Sequence, residues 1–379
     1  MSTPDRSSFA AFAVTAPGLA PLAARELSDL GLGGGRVSAE GVELTTDLAG
    51  LCRANLGLRT VSRVLVRVAR FPAAHFNELE KAAAAVDWGR WIAPGRPVRL
   101  RVTSAKSRLY HQRAVAERLL RVLGAPAASS DAPDEETPLL VVRIVRDRCT
   151  LSLDSSGALL HRRGYRLDSA KAPLRETLAA ALVLALEWEG ERPLLDPFCG
   201  SGTIAIEAAL RARRLAPGRG RGFAFEAWPG FRPDVLANER ERAAAAERPL
   251  DVPILASDRD RGAVAAAHAN AERAGVSADL RIERRPVSDL QPPASPGLLL
   301  ANPPYGVRVR GGRDLRDLYD RLGQVLRGGC AGWDVGLLSG DVALTRRVGI
   351  PLETRLQTSN GGLAVTLLAG RVPDAGPAG

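Results

Sequence analysis

From Leu174 onward the chain repeats one pattern, in which a short apolar run leads into a longer amphipathic stretch. The pattern occurs as PLLD before GTIAIEAALRARR, as PILASD before RGAVAAAHANAERAG, and as GLLLAN before RDLRDLYDRLGQVLRG. Short runs of this kind are typical of buried strands and the longer stretches of helices, and their alternation produces a mostly parallel sheet. Residues 174–379 are therefore predicted to form a Rossmann-like α/β domain, with LRIER, WDVGLLSG and GGLAVTLLAGR as further strands.

The residues before Leu174 follow a different order. FAAFAVT, GRVSAEGVELTT and TVSRVLVRVARF have the alternation of strands, and PGLAPLAARELSDLGL and DLAGLCRANLGL fit helices between them. Strand–helix–strand–strand–helix–strand is the order of a split βαβ sandwich, which we predict for residues 1–70. Residues 71–157 add two helices and three strands, and the basic, turn-rich segment 158–173 is predicted to be a linker.

The formal net charge of +10 comes almost entirely from arginine, because the chain has only three lysines. The excess of basic over acidic residues predicts a polyanionic partner such as nucleic acid. Four cysteines and four histidines are scattered without a CxxC pair, so we expect neither a metal site nor a disulfide framework. We also expect a monomer. We expect it in the cytoplasm, because the sequence lacks a leader peptide and any apolar run of the roughly 18 residues that a membrane span needs.

A glycine-rich turn, LLDPFCGSGT, joins the first strand of the α/β domain to its helix and follows an acid, Asp196. Gly200 and Gly202 let a ligand approach the backbone, and the helix start offers free N–H groups. A phosphate-binding loop would need a lysine before Thr203, and a dinucleotide fingerprint would need glycine in place of Ala205. The carboxylate would repel a pyrophosphate, but it suits a ligand with a positively charged amino group, such as the methionine part of S-adenosylmethionine.

Two more acids follow the next strands. Asp258 ends PILASD, where a carboxylate can accept hydrogen bonds from ribose hydroxyls. The insertion RRLAPGRGRGFAFEAWPGF, residues 213–231, lengthens its spacing from the glycine turn beyond the usual distance of about 20 residues. Asp289 in PVSDL could hold the adenine amino group, and a simple helix or turn cap is an alternative that the sequence leaves open.

The stretch LLLANPPYG ends a buried strand with an amide, two prolines and a tyrosine. The Asn302 side-chain oxygen and the Pro303 carbonyl can both accept hydrogen bonds from one exocyclic NH₂ group. Pro303 and Pro304 fix their own φ and bias the preceding residues toward extended geometry, which holds these acceptors in place. Tyr305 offers a flat ring on which a base can stack, a contact worth ~1–3 kcal/mol. The stretch therefore predicts a pocket for the amine of a nucleobase.

The chemistry follows from such a pocket. An aromatic amine is a poor nucleophile, because its lone pair is delocalised into the ring. Oxygen acceptors that fix its N–H directions favour pyramidalisation as a methyl group arrives, and they stabilise the developing positive charge. Alignment with a sulfonium methyl group would supply most of the acceleration, and no metal is needed.

The motifs LHRRGYR, APLRETLAAAL, LLDPFCGSGTIAIEAAL, FEAWPGF, ASDRD and ANPPYGVR resemble, in sequence and order, those of the THUMP-containing RNA guanine-N2 methyltransferases. The resemblance implies a ferredoxin-like segment at 1–70, a THUMP RNA-binding module at 71–157, and a class I methyltransferase domain at 174–379 that uses S-adenosylmethionine. It also implies a site residue by residue. The methionine end of the cofactor would contact Asp196, Phe198, Gly200 and Gly202, the ribose Asp258 and the adenine Asp289, and the catalytic pocket would comprise Asn302, Pro303, Pro304 and Tyr305.

Basic residues near the predicted site and in the N-terminal part are candidates for contact with RNA phosphates, and such binding should weaken steeply with salt. The candidates are Arg99, Arg101, Lys106, Arg108, Arg113, Arg162, Arg163, Arg166, Arg219, Arg221, Arg308, Arg310 and Arg313. The favoured substrate is a guanosine in 23S ribosomal RNA. Transfer RNA, adenine N6 of a nucleic acid, and an RNA-binding assembly factor without catalysis are the alternatives that the sequence leaves open.

Overall fold

The computed structural model describes residues 8–33, 35–133, 137–167, 174–293, 296–305 and 312–374, apart from the side chains of 312–314. The described chain divides into two compact units. The first comprises Met1–Thr15, Ala23–Leu160 and Gly218–Arg242, and the second comprises Ala16–Leu22, His161–Pro217 and Ala243–Gly379. Each unit is built on one seven-stranded sheet.

The sheet of the first unit has the strand order β2-β3-β1-β4-β7-β6-β5, and only β5 and β6 pair in parallel. The predicted strand–helix–strand–strand–helix–strand order at the N-terminus is confirmed, as are two further helices and three strands. The elements are β1 (Phe9–Thr15), α1 (Ala20–Asp29), β2 (Arg36–Ser38), β3 (Gly41–Thr46), α2 (Leu48–Gly57), β4 (Val61–Pro72), α3 (Phe76–Ala84), β5 (Arg99–Ala105), α4 (Gln112–Leu123), β6 (Leu139–Val145) and β7 (Arg148–Asp154).

Local signals explain several of these boundaries. The Asp47 side chain accepts a hydrogen bond from Gly50 N at 2.8 Å and so caps the start of α2. Gly124 ends α4 in the left-handed conformation that favours glycine. The β6–β7 hairpin turns at Arg146 and Asp147, whose φ angles of 49° and 56° match the twist that a two-residue hairpin requires.

The sheet of the second unit has the order β10-β9-β8-β11-β12-β14-β13. The pairs from β10 to β12 are parallel, and β14 is antiparallel to β12 and β13, so the predicted mostly parallel sheet is confirmed. The remaining elements are α5 (Glu176–Ala185), β8 (Leu194–Asp196), α6 (Thr203–Ala212), α7 (Pro233–Ala245), β9 (Ile254–Asp258), α8 (Arg261–Ala274), β10 (Leu280–Arg284), β11 (Leu298–Ala301), α9 (Gly312–Gly329), β12 (Asp334–Ser339), α10 (Val342–Thr345), β13 (Glu353–Asn360) and β14 (Leu363–Arg371).

Apolar side chains cover both faces of this second sheet and form two core clusters. The first core cluster contains Leu298 and Leu300, and the second core cluster contains Leu299 and Ala301, so alternate residues of β11 enter opposite clusters. The helices α5, α6 and α8 contribute to the first cluster, and α9 contributes to the second. Burial on both faces explains why the strands appear in the sequence as continuous apolar runs.

Four elements, α5, α7, α10 and β13, were not predicted from the sequence. Strand β13, ETRLQTSN, is largely polar because it lies at the edge of the sheet with most of its side chains half-buried or exposed. Helix α7 lies next to the predicted insertion and has only Leu236 and Glu239 buried. Among the described residues, none of the helices has both the length and the apolar character of a membrane span. Nor do three or more His, Cys, Asp or Glu residues of that part of the chain group as metal ligands would.

Candidate active site

Three polar side chains stand at the carboxyl ends of three neighbouring strands. Strand β8 lies between β9 and β11, Asp196 ends β8, Asp258 ends β9, and Asn302 directly follows β11. The register pairs Leu194 with both Ile254 and Leu298. All three side chains point into the first core cluster. Side chains separated by an even number of residues point to the same face of a sheet. Asp196, Asp258 and Asn302 follow these three residues by two, four and four positions, so they share that face. The strands therefore bring Asp196, Asp258 and Asn302 to one edge and one face of the sheet, where ligands of α/β proteins bind.

The glycine-rich turn between β8 and α6 is held by backbone hydrogen bonds. Cys199 N donates to Ser257 O at 3.0 Å, and Gly202 N donates to Cys199 O at 2.7 Å. Gly200 and Gly202 have φ angles of 52° and 83°, which an L side chain would strain. A Cβ atom on Gly202 would also lie 3.1 Å from the Cβ of Ala267, so this glycine permits close packing of α6 on α8.

The carboxyl group of Asp196 is the most perturbed acid at this edge. The residue is 1% exposed, its Oδ1 accepts from Phe198 N at 3.3 Å, and its Oδ2 has no hydrogen-bond partner among the described residues. Burial raises the pKa of Asp196 to about 8, and the nearby charge of Asp258 acts in the same direction. A buried carboxylate without a cation is costly, so this group is suited to a positively charged ligand.

Asp258 connects its strand to the glycine turn. Its Oδ2 accepts from Gly200 N at 3.1 Å, and its Oδ1 accepts from Asp260 N at 2.9 Å. Each carboxylate oxygen can accept a second hydrogen bond, so the half-buried group retains capacity for a diol. Asp258 thus shapes the turn and can bind a ligand at the same time.

The other two predicted cofactor residues have less defined surroundings. Asp289 is exposed and ends a single 3₁₀ turn after β10, where its Oδ1 accepts from Ser288 Oγ at 2.9 Å. Phe198 is half-buried and packs against the second core cluster. Strand β10 adjoins β9, which places Asp289 one strand farther from β8 than Asp258. The adenine role of Asp289 stays a prediction.

The turn after β11 is fixed by contacts on both sides. Asn302 Oδ1 is buried and has no hydrogen-bond partner among the described residues. Tyr319 on α9 is fully buried, and its Oη donates to Pro304 O at 3.3 Å. Burial raises the pKa of Tyr319, so this hydroxyl keeps its proton for that bond. The Tyr305 ring packs against the first core cluster and lies directly on Gly340.

The structure corrects one predicted RNA contact. Arg163 is 5% exposed, and its Nε lies 3.1 Å from Glu207 Oε1 on α6. Tyr165 Oη donates to the same carboxylate oxygen at 2.9 Å. A buried charge that pairs with a buried partner cannot reach an RNA phosphate without breaking the pair, so Arg163 belongs to the core of the second unit. The first half of the predicted linker is accordingly packed, because Tyr165 belongs to the first core cluster.

The other predicted RNA contacts fall into three groups. The exposed residues are Arg101, Lys106, Arg108, Arg113, Arg162 and Arg219. Arg99, Arg166 and Arg221 are half-buried and less available, because each already has a partner. Arg99 Nη2 donates to Ala132 O at 2.6 Å, Arg166 Nε lies 3.2 Å from Glu176 Oε1, and Arg221 Nη1 donates to Leu159 O at 2.9 Å. Arg308 and Arg310 lie outside the described residues, as does the side chain of Arg313.

Several residues that hold the site were not predicted from the sequence. Asn270 on α8 is fully buried, and its Nδ2 donates to Ser201 O in the glycine turn at 3.0 Å. Arg273 Nη2 donates to Asn270 Oδ1 at 2.5 Å, and Arg273 Nε donates to Tyr165 O at 2.8 Å. An asparagine between apolar residues of a helix is the one signal that could have indicated a buried polar role.

Comparisons with known proteins agree with this geometry. Residues 163–366 match the family model of the RMKL-like methyltransferase domain (UPF0020), residues 10–65 match the RlmL ferredoxin-like domain, and residues 73–154 match the THUMP domain. A Synechocystis protein, slr0064, provisionally named an RNA methyltransferase, is 37% identical over 378 residues, which cover 96% of this chain and 98% of that one. The expected ferredoxin-like, THUMP and methyltransferase architecture is confirmed.

Two further similarities concern a longer relative and a solved structure. The ribosomal RNA large subunit methyltransferase K/L of Methylococcus capsulatus is 36% identical over 94% of this chain, which spans 50% of the length of that protein. The crystal structure of SMU.472, provisionally described as a methyltransferase and solved in complex with SAH, is 27% identical. It superposes with a TM-score of 0.84 over 97% of this chain and 98% of that one.

Proposed function

This chain belongs to the RMKL-like methyltransferase family, and from that premise we propose that it methylates the exocyclic N2 amine of a guanosine in structured RNA. Family membership makes it an S-adenosylmethionine-dependent RNA methyltransferase, with a THUMP domain before the methyltransferase domain. The finer proposal concerns the atom that is methylated, the RNA that carries it, and the residues that position both.

The residues at the sheet edge fit S-adenosylmethionine. Asp196 Oδ2, which has no partner within the described ranges, can accept from the methionine ammonium group, and Asp258 retains acceptor capacity for the two ribose hydroxyls. The bound cofactor supplies a methyl group that its sulfonium charge activates. The glycine turn, held by Asn270 through Ser201 O, would shape the wall of the cofactor site. These roles of Asp196, Asp258 and the turn are part of the proposal.

The observation that carries the proposal is the buried Oδ1 of Asn302, which has no hydrogen-bond partner in the described part of the chain and lies on the same sheet edge as Asp196. A buried acceptor without a partner costs free energy, so its retention is explained if a substrate N–H fills it. Asn302 Oδ1 and the Pro303 carbonyl would then orient the amine, each by accepting a hydrogen bond from one of its two N–H groups. The buried Tyr319 hydroxyl holds the following carbonyl, that of Pro304, which keeps the backbone in place as the amine becomes charged.

The site itself supports the proposal of a flipped base, whereas the names of relatives support the proposal of ribosomal RNA. A guanosine must leave its stack to reach a strand edge, and the Tyr305 ring beside Asn302 offers a surface for the flipped base. The proposed RNA is 23S ribosomal RNA, which is supported by relatives named as methyltransferases of large-subunit ribosomal RNA. Because this chain spans about half of those relatives, transfer RNA remains the alternative substrate.

The test uses total RNA and DNA from a strain that lacks the gene, with tritiated S-adenosylmethionine and the purified full chain. We expect the label in N2-methylguanosine from large-subunit ribosomal RNA after digestion and chromatography. Label in N2-methylguanosine from transfer RNA would show that the substrate is transfer RNA and not ribosomal RNA. Label in N6-methyladenosine would show that the methylated base is adenine and not guanine. Titration with S-adenosylhomocysteine is the companion measurement, since absence of binding would favour an RNA-binding assembly factor.

A further inference from the structure

The THUMP part of the chain presents an aromatic pair to solvent. Tyr110 is 65% exposed, and its ring centroid lies 4.0 Å from that of the neighbouring, exposed His111, with 39° between the ring planes. An exposed tyrosine ring gains little from folding, because its apolar surface remains in water. The pair is therefore not explained by the stability of the domain.

The backbone beneath this pair is tightly held. Leu109 is only 4% exposed and anchors the loop, and its carbonyl accepts from Ser104 Oγ at 2.8 Å. Arg108 N donates to Asp147 Oδ1 in the β6–β7 turn at 2.7 Å, and Asp147 N donates to Ser107 Oγ at 3.1 Å. These bonds present Tyr110 on a fixed support instead of a loosely attached loop.

Left-handed backbone conformations occur in this loop and in the hairpin turn beside it. Lys106, Arg146 and Asp147 have φ angles of 52°, 49° and 56°, in the left-handed region that non-glycine residues rarely adopt. At Arg146 and Asp147 this conformation is the one that the two-residue β6–β7 hairpin requires. Tyr110 lies on the loop that begins at Lys106 and is bonded to the turn formed by the other two residues.

The charges around the pair are mainly positive. The exposed cationic residues of the loop, the start of α4 and the hairpin turn are Lys106, Arg108, Arg113, Arg146 and Arg148. Three acids lie near them. The exposed Glu78 interacts electrostatically with Arg108, and its Oε2 already accepts from Ala74 N at 2.7 Å. Glu117 pairs with Arg113 at 2.9 Å, and both side chains of this pair are exposed, so the pair is weak. Asp147 already accepts from Arg108 N, so the surface remains basic overall.

We propose that Tyr110, supported by His111, is a stacking platform for an unpaired nucleotide of the RNA substrate, and that the surrounding cations hold the flanking phosphates. The inference rests on the proposed function, which makes RNA the polyanionic partner. Unpaired nucleotides expose their base faces, whereas a continuous duplex covers them, so the platform selects single-stranded segments. An exposed aromatic ring among cations on a rigid loop has the features of such a site.

The experiment measures fluorescence anisotropy of the full chain with a labelled single-stranded oligouridine and with a labelled duplex of equal length. Tyr110→Ala should weaken binding of the single strand by about 5- to 150-fold, which corresponds to a stacking contact of ~1–3 kcal/mol. Tyr110→Phe should retain the affinity, because the ring is preserved. Val37→Ala, on the comparably exposed Val37 of β2, is the matched control and should leave both affinities unchanged.

Two outcomes would overturn the inference. One is single-strand affinity of Tyr110→Ala equal to that of the unmodified chain, and the other is an equal loss for the single strand and the duplex. Methyl transfer by the unmodified chain is assayed separately. If the unmodified chain methylates RNA and Tyr110→Ala binds the single strand normally, only the stacking platform is refuted. If Tyr110→Ala loses single-strand binding selectively but the unmodified chain transfers no methyl group, only the proposed function is refuted.

Discussion

A Cβ atom on Gly340 would lie 2.3 Å from Cδ2 and 2.6 Å from Cε2 of Tyr305, so the tyrosine ring rests directly on the backbone that follows β12. Contacts this close leave no space for any side chain at position 340. The residue that follows β12 therefore fixes the Tyr305 ring, which follows β11. Gly340 is thus a positioning residue for the proposed base-stacking surface.

Gly340→Ala should displace the Tyr305 ring and reduce methyl transfer, because a misplacement near 1 Å can cost on the order of 100-fold in rate. Binding of S-adenosylhomocysteine should be unchanged, since the three atoms nearest to a Cβ at position 340 all belong to Tyr305. Single-turnover methyl transfer and calorimetric titration measure the two effects. Gly328→Ala is the matched control, because a Cβ atom there meets no other atom within 4 Å. Full activity of Gly340→Ala would refute the positioning role.

Asn302→Ala should reduce methyl transfer by about 10²- to 10³-fold, the range found when one preorganised polar contact to a transition state is removed. Cofactor binding should stay close to normal, because the proposed role of Asn302 is to orient the amine. The comparison requires kcat together with the dissociation constant of S-adenosylhomocysteine. Asn238→Ala, at an exposed amide on α7, controls for the loss of an asparagine. Equal losses of binding and transfer would mean that Asn302 serves the cofactor.

Asp196 should make cofactor binding and stability depend on pH. Its pKa of about 8 in the folded chain exceeds the ordinary value of 3.8, so the folded state holds a proton that the unfolded state releases between these values. The free energy of unfolding should therefore fall as pH rises from about 4 to about 8, and Asp196→Asn should remove this part of the slope. Urea denaturation across this pH range measures the slope, with exposed Asp251→Asn as the control.

Ligand binding provides a second measurement of Asp196. A ligand ammonium group beside the carboxyl should ionise it, so S-adenosylhomocysteine binding at pH 7 should release about one proton. Calorimetry in buffers of different ionisation enthalpy counts the proton, and Asp196→Asn should abolish its release. Equal proton release by the unmodified chain and by Asp196→Asn would place the ammonium group elsewhere.

Asn270→Ala should destabilise the chain by about 1–3 kcal/mol, because it leaves the buried Ser201 carbonyl without its donor. Asn270→Asp keeps the acceptor for Arg273 but turns a carboxylate toward that carbonyl, so it should weaken S-adenosylhomocysteine binding as well. Urea denaturation and calorimetric titration give the two quantities. His268→Ala, exposed on the same helix, should change neither. Unchanged cofactor affinity in Asn270→Asp would show that the glycine turn holds its shape without this bond.

Much of the fold was predictable because its signals are local. Strands buried on both faces, such as LLLA at 298–301, are continuous apolar runs, and the glycine turn carries its own conformational requirement. Strand β13 and helix α7 escaped prediction because their side chains are mainly polar, as befits a sheet edge and an exposed helix. The periodicity of apolar residues predicts an element only if that element buries one of its faces, which these two elements largely do not.

The candidate site divides in the same way. The sequence by itself determined that Asp196, Asp258 and Asn302 each end a buried strand, since a change from apolar to polar residues marks a strand end locally. Only the tertiary structure decided that β8 lies between β9 and β11, that Arg163 turns inward to Glu207, and that Asn270 bonds Ser201. These relationships join residues that are distant in the chain, and packing of the whole sheet with its helices selects them.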